Sequence, residues 1–296
     1  MFYHPISYDE PLFRPPSEAY SFILQLTLGC SWNRCAFCEM YTTKQFKVRP
    51  VEEIRDDIRK MEPYADQIRK VFLADGNALV LSTPKLSAIL DELNQSFPKI
   101  NRISAYAIAK DLKNKTVDEL KNLREKGLQL LYVGIESGDD EVLEAVNKGE
   151  TFESQKEALL KAKAAGMRLS VMILNGLGGK RMSEQHAINS ARLCNEIQPE
   201  FLSTLVLSYP HGQGHFKKRF RGEFEPLDMY GLIKEMKIFI QNLELGHTVF
   251  RSDHASNYLV LSGNLKRDKE ELLQRIDQAL NQPGQAGLRQ EWMRGL

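Results

Sequence analysis

Three of the chain's four cysteines lie within the short segment GCSWNRCAFC of residues 29–38. Cys30, Cys35 and Cys38 form a Cx4CxxC pattern, in which each thiol is close in sequence to the next. The fourth, Cys194, lies in a predicted amphipathic helix, where we expect a small buried residue rather than a ligand. Clustered thiols of this kind bind metals or carry out redox chemistry.

Neither a zinc site nor a thioredoxin-type redox site explains all three thiols. A structural zinc ion takes four ligands, usually in two pairs, and His4 or His211 would have to complete the set from an untypical spacing. A thioredoxin-type CxxC would leave Cys30 without a role. Iron–sulfur clusters are held by cysteine thiolates, and three ligands on a four-iron cluster would leave one iron open to a small molecule. An electron-transfer cluster protein and a zinc-binding interaction module remain the alternatives.

The elements that must position these thiols alternate regularly along the chain. Six short apolar runs, each followed by a helical pattern, predict strands at residues 22–28, 70–75, 102–108, 128–136, 167–174 and 201–208. Near-continuous apolar strands are typical of a sheet buried on both faces, and the alternation with helices predicts parallel βαβ units. Six units are fewer than the eight of a closed TIM barrel. We therefore predict an α/β fold, a partial (β/α)6 TIM-like barrel, with the cysteines at its mouth.

The alternation stops after the sixth strand. Residues 1–208 are predicted to form the core barrel with a short N-terminal extension, and residues 209–296 a C-terminal α/β extension that covers the barrel mouth. The extension opens with a Gly- and base-rich stretch, residues 209–226, predicted to be a loop that carries His211 and His215. Its KKRFR segment, residues 217–221, is interpreted as a solvated face or as a clamp for an acidic substrate.

The composition narrows the function classes. The net charge is +1, with 42% apolar and 27% charged residues, which disfavours nucleic acid as a partner because nucleic-acid-binding proteins usually carry a basic excess. No apolar run reaches the length of a membrane span, and the first residues do not resemble a secretory signal. Four cysteines in 296 residues do not form a disulfide scaffold. We expect a cytoplasmic protein with no membrane partner.

A Cx4CxxC pattern directly after the first predicted strand resembles the radical S-adenosylmethionine (SAM) superfamily, although Cx3CxxC is the commonest spacing there. The segment VGIESGDDEVLEAVNKG of residues 133–149 resembles the anaerobic coproporphyrinogen oxidase-like branch. This resemblance implies that Cys30, Cys35 and Cys38 bind a [4Fe–4S] cluster. It also implies that the methionine amine and carboxylate of SAM chelate the open iron.

The resemblance extends to residues near the cysteines and after the second strand. Phe37 matches an aromatic residue that precedes the third cysteine and whose backbone meets the adenine. Asp75, Gly76 and Asn77 stand where the superfamily carries a Gly-Gly-Glu-like turn that grips the methionine amine. Asn77 replaces the glutamate of that turn.

Later strands carry the remaining residues that the resemblance assigns to SAM. Glu136 matches a residue that faces the cofactor, and Ser137 follows it; a capping or salt-bridged carboxylate is the other interpretation of Glu136. Asn175 and Gly176 belong to ILNGLGG, residues 173–179, which resembles the segment that packs on the adenine. The GLGGK sequence does not fit the phosphate-binding pattern Gly-x4-Gly-Lys-Ser/Thr.

The implied reaction is reductive cleavage of SAM to methionine and a 5′-deoxyadenosyl radical, which abstracts hydrogen from a substrate. The substrate is a small molecule or a peptide that the sequence does not identify, and the reductant is of the flavodoxin or ferredoxin type. Tyr106, Lys110 and His254 are the candidate catalytic residues. His254 lies in a stretch, residues 250–263, that forms either a hydrogen-bonded structural turn or part of the substrate site. A tRNA methylthiotransferase is disfavoured, since a second cluster would need more cysteines than Cys194.

Overall fold

The computed structural model of the protein describes residues 5–210 and 212–294. His4 and His211, which the sequence offered as zinc ligands, lie outside the described residues. The chain divides into two compact units. The first unit comprises residues 5–33, 40–133 and 158–169, and the second comprises residues 34–39, 134–157 and 170–294. The predicted division at residue 208 stays a prediction.

The first unit contains parallel strands that alternate with helices. Its strands are β1 Phe22–Gln25, β2 Thr27–Leu28, β3 Lys47–Val48, β4 Lys70–Ala74, β5 Arg102–Ala107 and β6 Leu128–Glu136, the last of which ends in the second unit. Strands β1, β4, β5 and β6 lie side by side in that order, and each of the three pairings is parallel. Both faces of this sheet are covered, since every residue of β1 is buried.

Local sequence signals explain the helices of the first unit. These are α1 Val51–Met61, α2 Thr83–Ser96, α3 Ala109–Lys113 and α4 Val117–Glu125. Helix α4 begins at a capping box, in which the Thr116 hydroxyl accepts the Glu119 N–H and the Glu119 carboxylate accepts the Thr116 N–H. The four-residue spacing of Ile54 and Ile58 places both on the buried face of α1.

Two details of the first unit differ from the sequence prediction. The predicted strand of residues 22–28 breaks, because the Leu26 N–H bonds the Ala74 carbonyl at 2.9 Å while its own carbonyl accepts the Arg49 N–H at 3.0 Å. Strand β2 therefore leaves the sheet and pairs antiparallel with β3. Helix α3 was not predicted, since five residues are too short for a periodic pattern to show.

The second unit continues the alternation and adds the C-terminal elements. Its strands are β7 Arg168–Asn175, which begins in the first unit, β8 Phe201–Val206, β9 Val249–Ser252 and β10 Leu261–Asn264. Its helices are α5 Asp140–Ala145, α6 Phe152–Ala164, which ends in the first unit, α7 Gly179–Ile197, α8 Gly214–Arg219, α9 Met229–Gln241 and α10 Leu265–Asn281. Strands β7, β8 and β9 are parallel, and β10 pairs antiparallel with β9.

The predicted α/β class and the six βα units are confirmed, and the C-terminal part brought one correction. The Gly- and base-rich stretch was predicted to be a loop, but it contains α8, because Phe216 and Phe220 lie one turn apart and are both buried. Cys194 is buried in α7 as predicted, and burial raises the pKa of its thiol. No helix among the described residues is long and apolar enough to cross a bilayer.

Candidate cluster and cofactor site

The loop after β2 carries the three clustered cysteines. It begins at Gly29, whose φ of +73° favours glycine. Cys30, Cys35 and Cys38 are partly exposed, and none of them forms a disulfide. No three His, Cys, Asp or Glu side chains within the described part of the chain are placed to hold a single metal ion. A four-iron cluster makes a different demand, since each thiolate binds a separate iron.

The backbone of Cys30 packs directly on the turn after β4. A Cβ atom added at Gly76 would lie 2.5 Å from the Cys30 Cα and 2.5 Å from the Gly29 carbonyl oxygen. No side chain fits in that space, so glycine is required where the turn meets the cysteine loop. The sequence had assigned Gly76 to the cofactor, and the structure gives it this packing role as well.

Asp75, in the same turn, has one satisfied and one unsatisfied carboxylate oxygen. Its Oδ2 accepts the Gly29 N–H at 3.2 Å and the Lys44 ammonium at 2.9 Å. Its Oδ1 is buried with no hydrogen-bond partner among the described residues. Burial raises the pKa of Asp75, while Lys44 and the Gly29 N–H oppose that shift. The Oδ1 atom can accept a hydrogen bond from the N–H of a bound amine.

Both polar atoms of the Asn77 side chain form hydrogen bonds within the protein. Its Oδ1 accepts the Ser31 N–H at 3.0 Å, and its Nδ2 donates to the Ser31 hydroxyl and to Asp111 Oδ2, both at 2.8 Å. These bonds fix the residue next to Cys30. In this structure Asn77 orients the cysteine loop, and its predicted contact with SAM stays a prediction.

Two candidate catalytic residues of the first unit lie close together in sequence, Tyr106 in β5 and Lys110 in α3. The Lys110 ammonium lies 4.8 Å from the ring centroid of Trp32, a cation–π contact near the cysteine loop. The Tyr106 ring packs edge to face with Phe72 and Tyr132, at centroid distances of 5.0 and 6.2 Å. Burial raises the pKa of Tyr106, so its hydroxyl keeps its proton at neutral pH.

In the second unit, the segment that carries Cys35 and Cys38 is anchored to the end of α5. Ala36 is fully buried, and its N–H donates to the Val146 carbonyl at 2.8 Å. The Asn147 amide donates to the Arg34 carbonyl at 3.3 Å. The backbone on both sides of Cys35 is thus bonded to the end of a helix.

Glu136 ends β6 in a strained and buried position. Its φ is +62°, which is uncommon for a residue with a side chain, and 5% of it is exposed. Its Oε1 lies 3.3 Å from the Lys148 ammonium, whereas its Oε2 is buried without a hydrogen-bond partner among the described residues. A Cβ at Gly134 would lie 2.0 Å from Oε1, so that glycine makes room for the carboxylate.

Burial raises the pKa of Glu136, and the nearby Lys148 opposes the shift. Lys148 also lies 5.6 Å from the ring centroid of Phe37, another residue that the sequence assigned to the cofactor. The second unit therefore brings Phe37 and Glu136 to the same lysine. Backbone strain combined with a half-satisfied buried carboxylate is typical of functional sites.

Ser137 is tied to a histidine that sequence reasoning missed. The Ser137 hydroxyl lies 2.8 Å from His186 Nδ1 and accepts the Asp139 N–H at 2.9 Å. His186 Nε2 faces the Leu174 carbonyl at 3.2 Å. A carbonyl can only accept, so Nε2 carries a proton, and Nδ1 can accept the Ser137 hydroxyl.

A second missed residue, Glu235 of α9, holds the turn after β7. Its Oε1 accepts the Gly176 N–H at 2.6 Å, and its Oε2 accepts the Ser183 hydroxyl at 2.6 Å. His186 Nε2 lies 3.8 Å from Oε1. Asn175 in the same turn donates to the Leu232 carbonyl at 3.1 Å. Burial raises the pKa of Glu235, and His186, the Ser183 hydroxyl and the Gly176 N–H oppose that shift.

The sequence does contain a signal for Glu235. It stands at helical spacing among Leu232, Met236 and Phe239, so a carboxylate interrupts the apolar face of the predicted helix. Buried charges are rare unless they are paired or hydrogen-bonded. A glutamate in that position predicts buried partners, although not which ones.

The stretch around His254 forms a hydrogen-bonded turn. His254 Nδ1 lies 2.9 Å from the Ser256 hydroxyl and 3.1 Å from the Ser256 N–H, and the Arg289 guanidinium donates to the His254 carbonyl. Burial lowers the pKa of His254, and Arg289 adds to the shift. These contacts favour the structural interpretation, and the predicted catalytic role of His254 stays a prediction.

The same stretch shares a small cavity with Asn175. The cavity measures about 20 Å³, room for about one water molecule. Asn257 and Ser252 also line it, and the Asn257 Oδ1 and Ser252 Oγ atoms are buried without partners among the described residues. The second unit thus places one residue assigned to SAM beside the stretch suggested for substrate.

Comparison with known proteins assigns the chain to a family. The family model described as the Radical SAM superfamily matches residues 24–194. The tRNA-2-methylthio-N(6)-dimethylallyladenosine synthase of Chloroherpeton thalassium is 26% identical over 201 residues, which are 64% of this chain and 43% of that protein. The oxygen-independent coproporphyrinogen III oxidase of Helicobacter pylori is 21% identical over 182 residues, 60% of this chain and 39% of that protein.

A solved structure agrees with these matches. Coproporphyrinogen III oxidase from Escherichia coli, described as a radical SAM enzyme, superposes with a TM-score of 0.55 at 16% identity, covering 75% of this chain and 52% of that chain. This likeness shows the fold and confirms the predicted TIM-like α/β class. The predicted resemblance to the coproporphyrinogen oxidase branch is also confirmed. The chain spans less than half the length of the two curated relatives.

Proposed function

The chain belongs to the Radical SAM superfamily, and on that premise we propose that Cys30, Cys35 and Cys38 hold the [4Fe–4S] cluster at which SAM is cleaved. Members of this superfamily are enzymes that bind such a cluster together with SAM. The observation that carries the proposal is a thiol-only donor set, free of disulfides, whose flanking backbone is fixed on both sides. Gly76 fixes Cys30 in the first unit, and Val146 fixes the Cys35–Cys38 segment in the second.

When bound, the cluster and SAM would together supply the radical chemistry, which is one-electron cleavage of SAM to methionine and a 5′-deoxyadenosyl radical that takes hydrogen from the substrate. The protein contributes acceptors for the cofactor's polar groups. Asp75 Oδ1 and Glu136 Oε2 are buried oxygens without partners among the described residues, and leaving them unsatisfied costs free energy. We assign Asp75 to an N–H of the methionine amine and Glu136 to another hydrogen-bond donor of SAM.

The turn after β7 supports the remaining contacts with SAM. The Gly176 φ of +86° favours glycine, and a Cβ added there would lie 2.7 Å from Leu232 Cδ2, so both the turn's conformation and its packing on α9 require glycine. Asn175 and Gly176 would pack on the adenine, with Phe37 contributing through its backbone. Ser137 would orient Glu136 through its bond to His186.

The overall reaction is hydrogen abstraction from a small molecule or a peptide. Tyr106, Lys110 and His254 are proposed to act on that substrate, and a flavodoxin or ferredoxin is proposed as the reductant. We place the protein in the cytoplasm. Four cysteines without a disulfide suit a reducing compartment.

The test is anaerobic cleavage of SAM by reconstituted protein. The wild type is expected to contain about four iron and four sulfide per chain and to release 5′-deoxyadenosine under a strong reductant. Cys30→Ala, Cys35→Ala and Cys38→Ala should each abolish that release. Cys194→Ala is the matched control, since its thiol is buried in α7 and should not affect cluster content.

Two outcomes would overturn the proposal. Cleavage of SAM by the Cys30→Ala protein at the wild-type rate would show that Cys30 is not a required cluster ligand. A colourless wild type that binds one zinc ion would support the interaction-module alternative. If the wild type does cleave SAM, transfer of deuterium from candidate substrates into 5′-deoxyadenosine would identify the substrate class.

A further inference from the structure

Helix α8 packs on the segment that carries Cys35 and Cys38. Its buried Phe216 and Phe220 share one hydrophobic cluster with Ala36, which lies between the two cysteines in sequence. The end of α5 binds both segments: the Val146 carbonyl accepts the Ala36 N–H, and the Ala145 carbonyl accepts the Arg221 N–H, each at 2.8 Å. Adjacent carbonyls therefore fix α8 beside the cysteines.

The outer face of α8 is basic and exposed. Lys217, Lys218 and Arg219 of α8, and Arg221 two residues beyond its end, all have exposed side chains. Residues 212–222 include no acidic residue. Exposed Glu144 lies 3.7 Å from Arg221. The whole chain carries a net charge of +1, so the basic character is local rather than general.

We propose that the exposed face of α8 is the docking surface for an acidic electron-donor protein. The inference rests on the proposed function, since it requires a cluster on Cys35 and Cys38. One electron passes from the donor protein's reduced cofactor to the bound cluster, so the donor is oxidised by one electron and the cluster is reduced by one electron. Electron transfer slows steeply with distance, so the donor must dock close to the cluster ligands. Positive charge on α8 complements a negative partner and steers its approach.

The placement favours a donor protein over nucleic acid. RNA binding generally uses a broad basic surface that neutralises many phosphates, whereas three residues of one short helix and the nearby Arg221 offer a small patch. A protein partner with an acidic rim needs only a few complementary charges to gain a faster association rate. Binding of tRNA to α8 is therefore an outcome that the experiment must distinguish.

The experiment compares two reductants on one pair of variants. The double variant Lys217→Glu/Lys218→Glu reverses the patch, and Lys234→Glu/Lys266→Glu makes the same charge change at exposed positions of α9 and α10. SAM cleavage is measured with limiting reduced flavodoxin and, separately, with photoreduced 5-deazariboflavin, which needs no docking surface. The α8 variant should be slowed about tenfold with flavodoxin at low salt. Its rate with deazaflavin should match the wild type.

Controls separate the possible failures. The Lys217→Gln/Lys218→Gln protein should show intermediate slowing, and added salt should reduce the difference between variants because it screens exposed charges. Equal flavodoxin-driven rates in the α8 variant and the wild type would overturn the inference, as would equal slowing of the α9/α10 control. Loss of tRNA binding by the α8 variant, with flavodoxin-driven cleavage unchanged, would assign the patch to RNA and overturn it too. Failure of the wild type with deazaflavin would instead contradict the proposed function.

Discussion

Two turns that are proposed to contact SAM are held in place by different means. In the first unit, residues 75–77 bond directly to the cysteine loop, through the Gly29 and Ser31 N–H groups. In the second unit, residues 175–177 are held by Glu235, which belongs to α9 and lies beyond the 24–194 family match. One turn is positioned by residues inside the matched range, and the other by a residue outside it.

This difference implies that the two turns respond differently to mutation. A change in the first turn acts on the cysteine loop and hence on cluster content. A change in the support of the second turn should leave the cluster intact and alter the affinity for SAM. Measurements of iron content and of SAM binding separate the two effects.

The largest effect is expected for Gly76→Ala. The added methyl group would lie 2.5 Å from two backbone atoms, of Cys30 and Gly29, which cannot move without displacing the loop. We expect a loss of about 3 kcal/mol in the free energy of unfolding and little iron in the reconstituted protein. Gly284→Ala is the control, since nothing lies within 4 Å of its added Cβ. Normal iron content in Gly76→Ala would refute the coupling between this turn and the cysteine loop.

A smaller and more selective effect is expected for Glu235→Ala. The change leaves the Gly176 N–H and the half-buried Ser183 hydroxyl without their acceptor, and the buried Gly176 N–H alone should cost about 1–3 kcal/mol. Glu235→Gln retains an acceptor oxygen and should lose less. Iron content should stay normal in both proteins, whereas the Kd for SAM should rise about tenfold for Glu235→Ala, equivalent to about 1.4 kcal/mol. Amide hydrogen exchange at Gly176 should quicken in parallel, and unchanged SAM affinity would show that Glu235 is structural alone.

The third prediction concerns the pH dependence of stability through Glu136. Burial raises the pKa of Glu136 above its ordinary value, so between those two pKa values the folded state binds more protons than the unfolded state. The stability contribution of Glu136 must then fall as pH rises through that window. Glu136→Gln removes this dependence, so its stability relative to the wild type should increase from pH 5 to pH 8 in urea titrations. A difference that shrinks with pH would contradict the assigned direction of the shift.

The smallest effect is expected for His254→Ala. Its ring bonds Ser256 within the turn, and loss of those bonds should cost about 1 kcal/mol. A catalytic role predicts slower substrate turnover with uncoupled SAM cleavage unchanged. An equal loss of both activities would assign His254 to the structure of the turn.

The sequence predicted the elements of the fold more fully than the supports of the site. Apolar runs and cap residues located the six strands and most helices, because periodicity and capping are local signals. The break of the first strand at Leu26 depends on bonds to Ala74 and Arg49 that only the folded chain brings together. Helix α8 was missed because its flanking glycines and lysines masked the spacing of Phe216 and Phe220.

The candidate site likewise has parts that local sequence signals predict and parts that depend on contacts formed only in the folded chain. Local motifs predicted the three cysteines, Asp75 and Glu136 as site residues, and the proposed chemistry is assigned to them. The bonds of His186 and Glu235 span 49 and 59 residues in sequence, and no spacing rule connects them to Ser137 and Gly176. No sequence pattern shows that Asp75 Oδ1 and Glu136 Oε2 lack partners among the described residues, because this depends on where neighbouring donors lie in the folded chain.

The most direct test of the central claim is spectroscopic. Reconstituted protein, with its cluster reduced by one electron, is mixed with SAM labelled with ¹⁵N at the methionine amine and ¹⁷O at the carboxylate, and the electron–nuclear coupling is measured at low temperature. We predict coupling to both labels, which requires SAM to bind the iron that Cys30, Cys35 and Cys38 leave open. The absence of coupling to either label in protein with a full cluster would contradict the account.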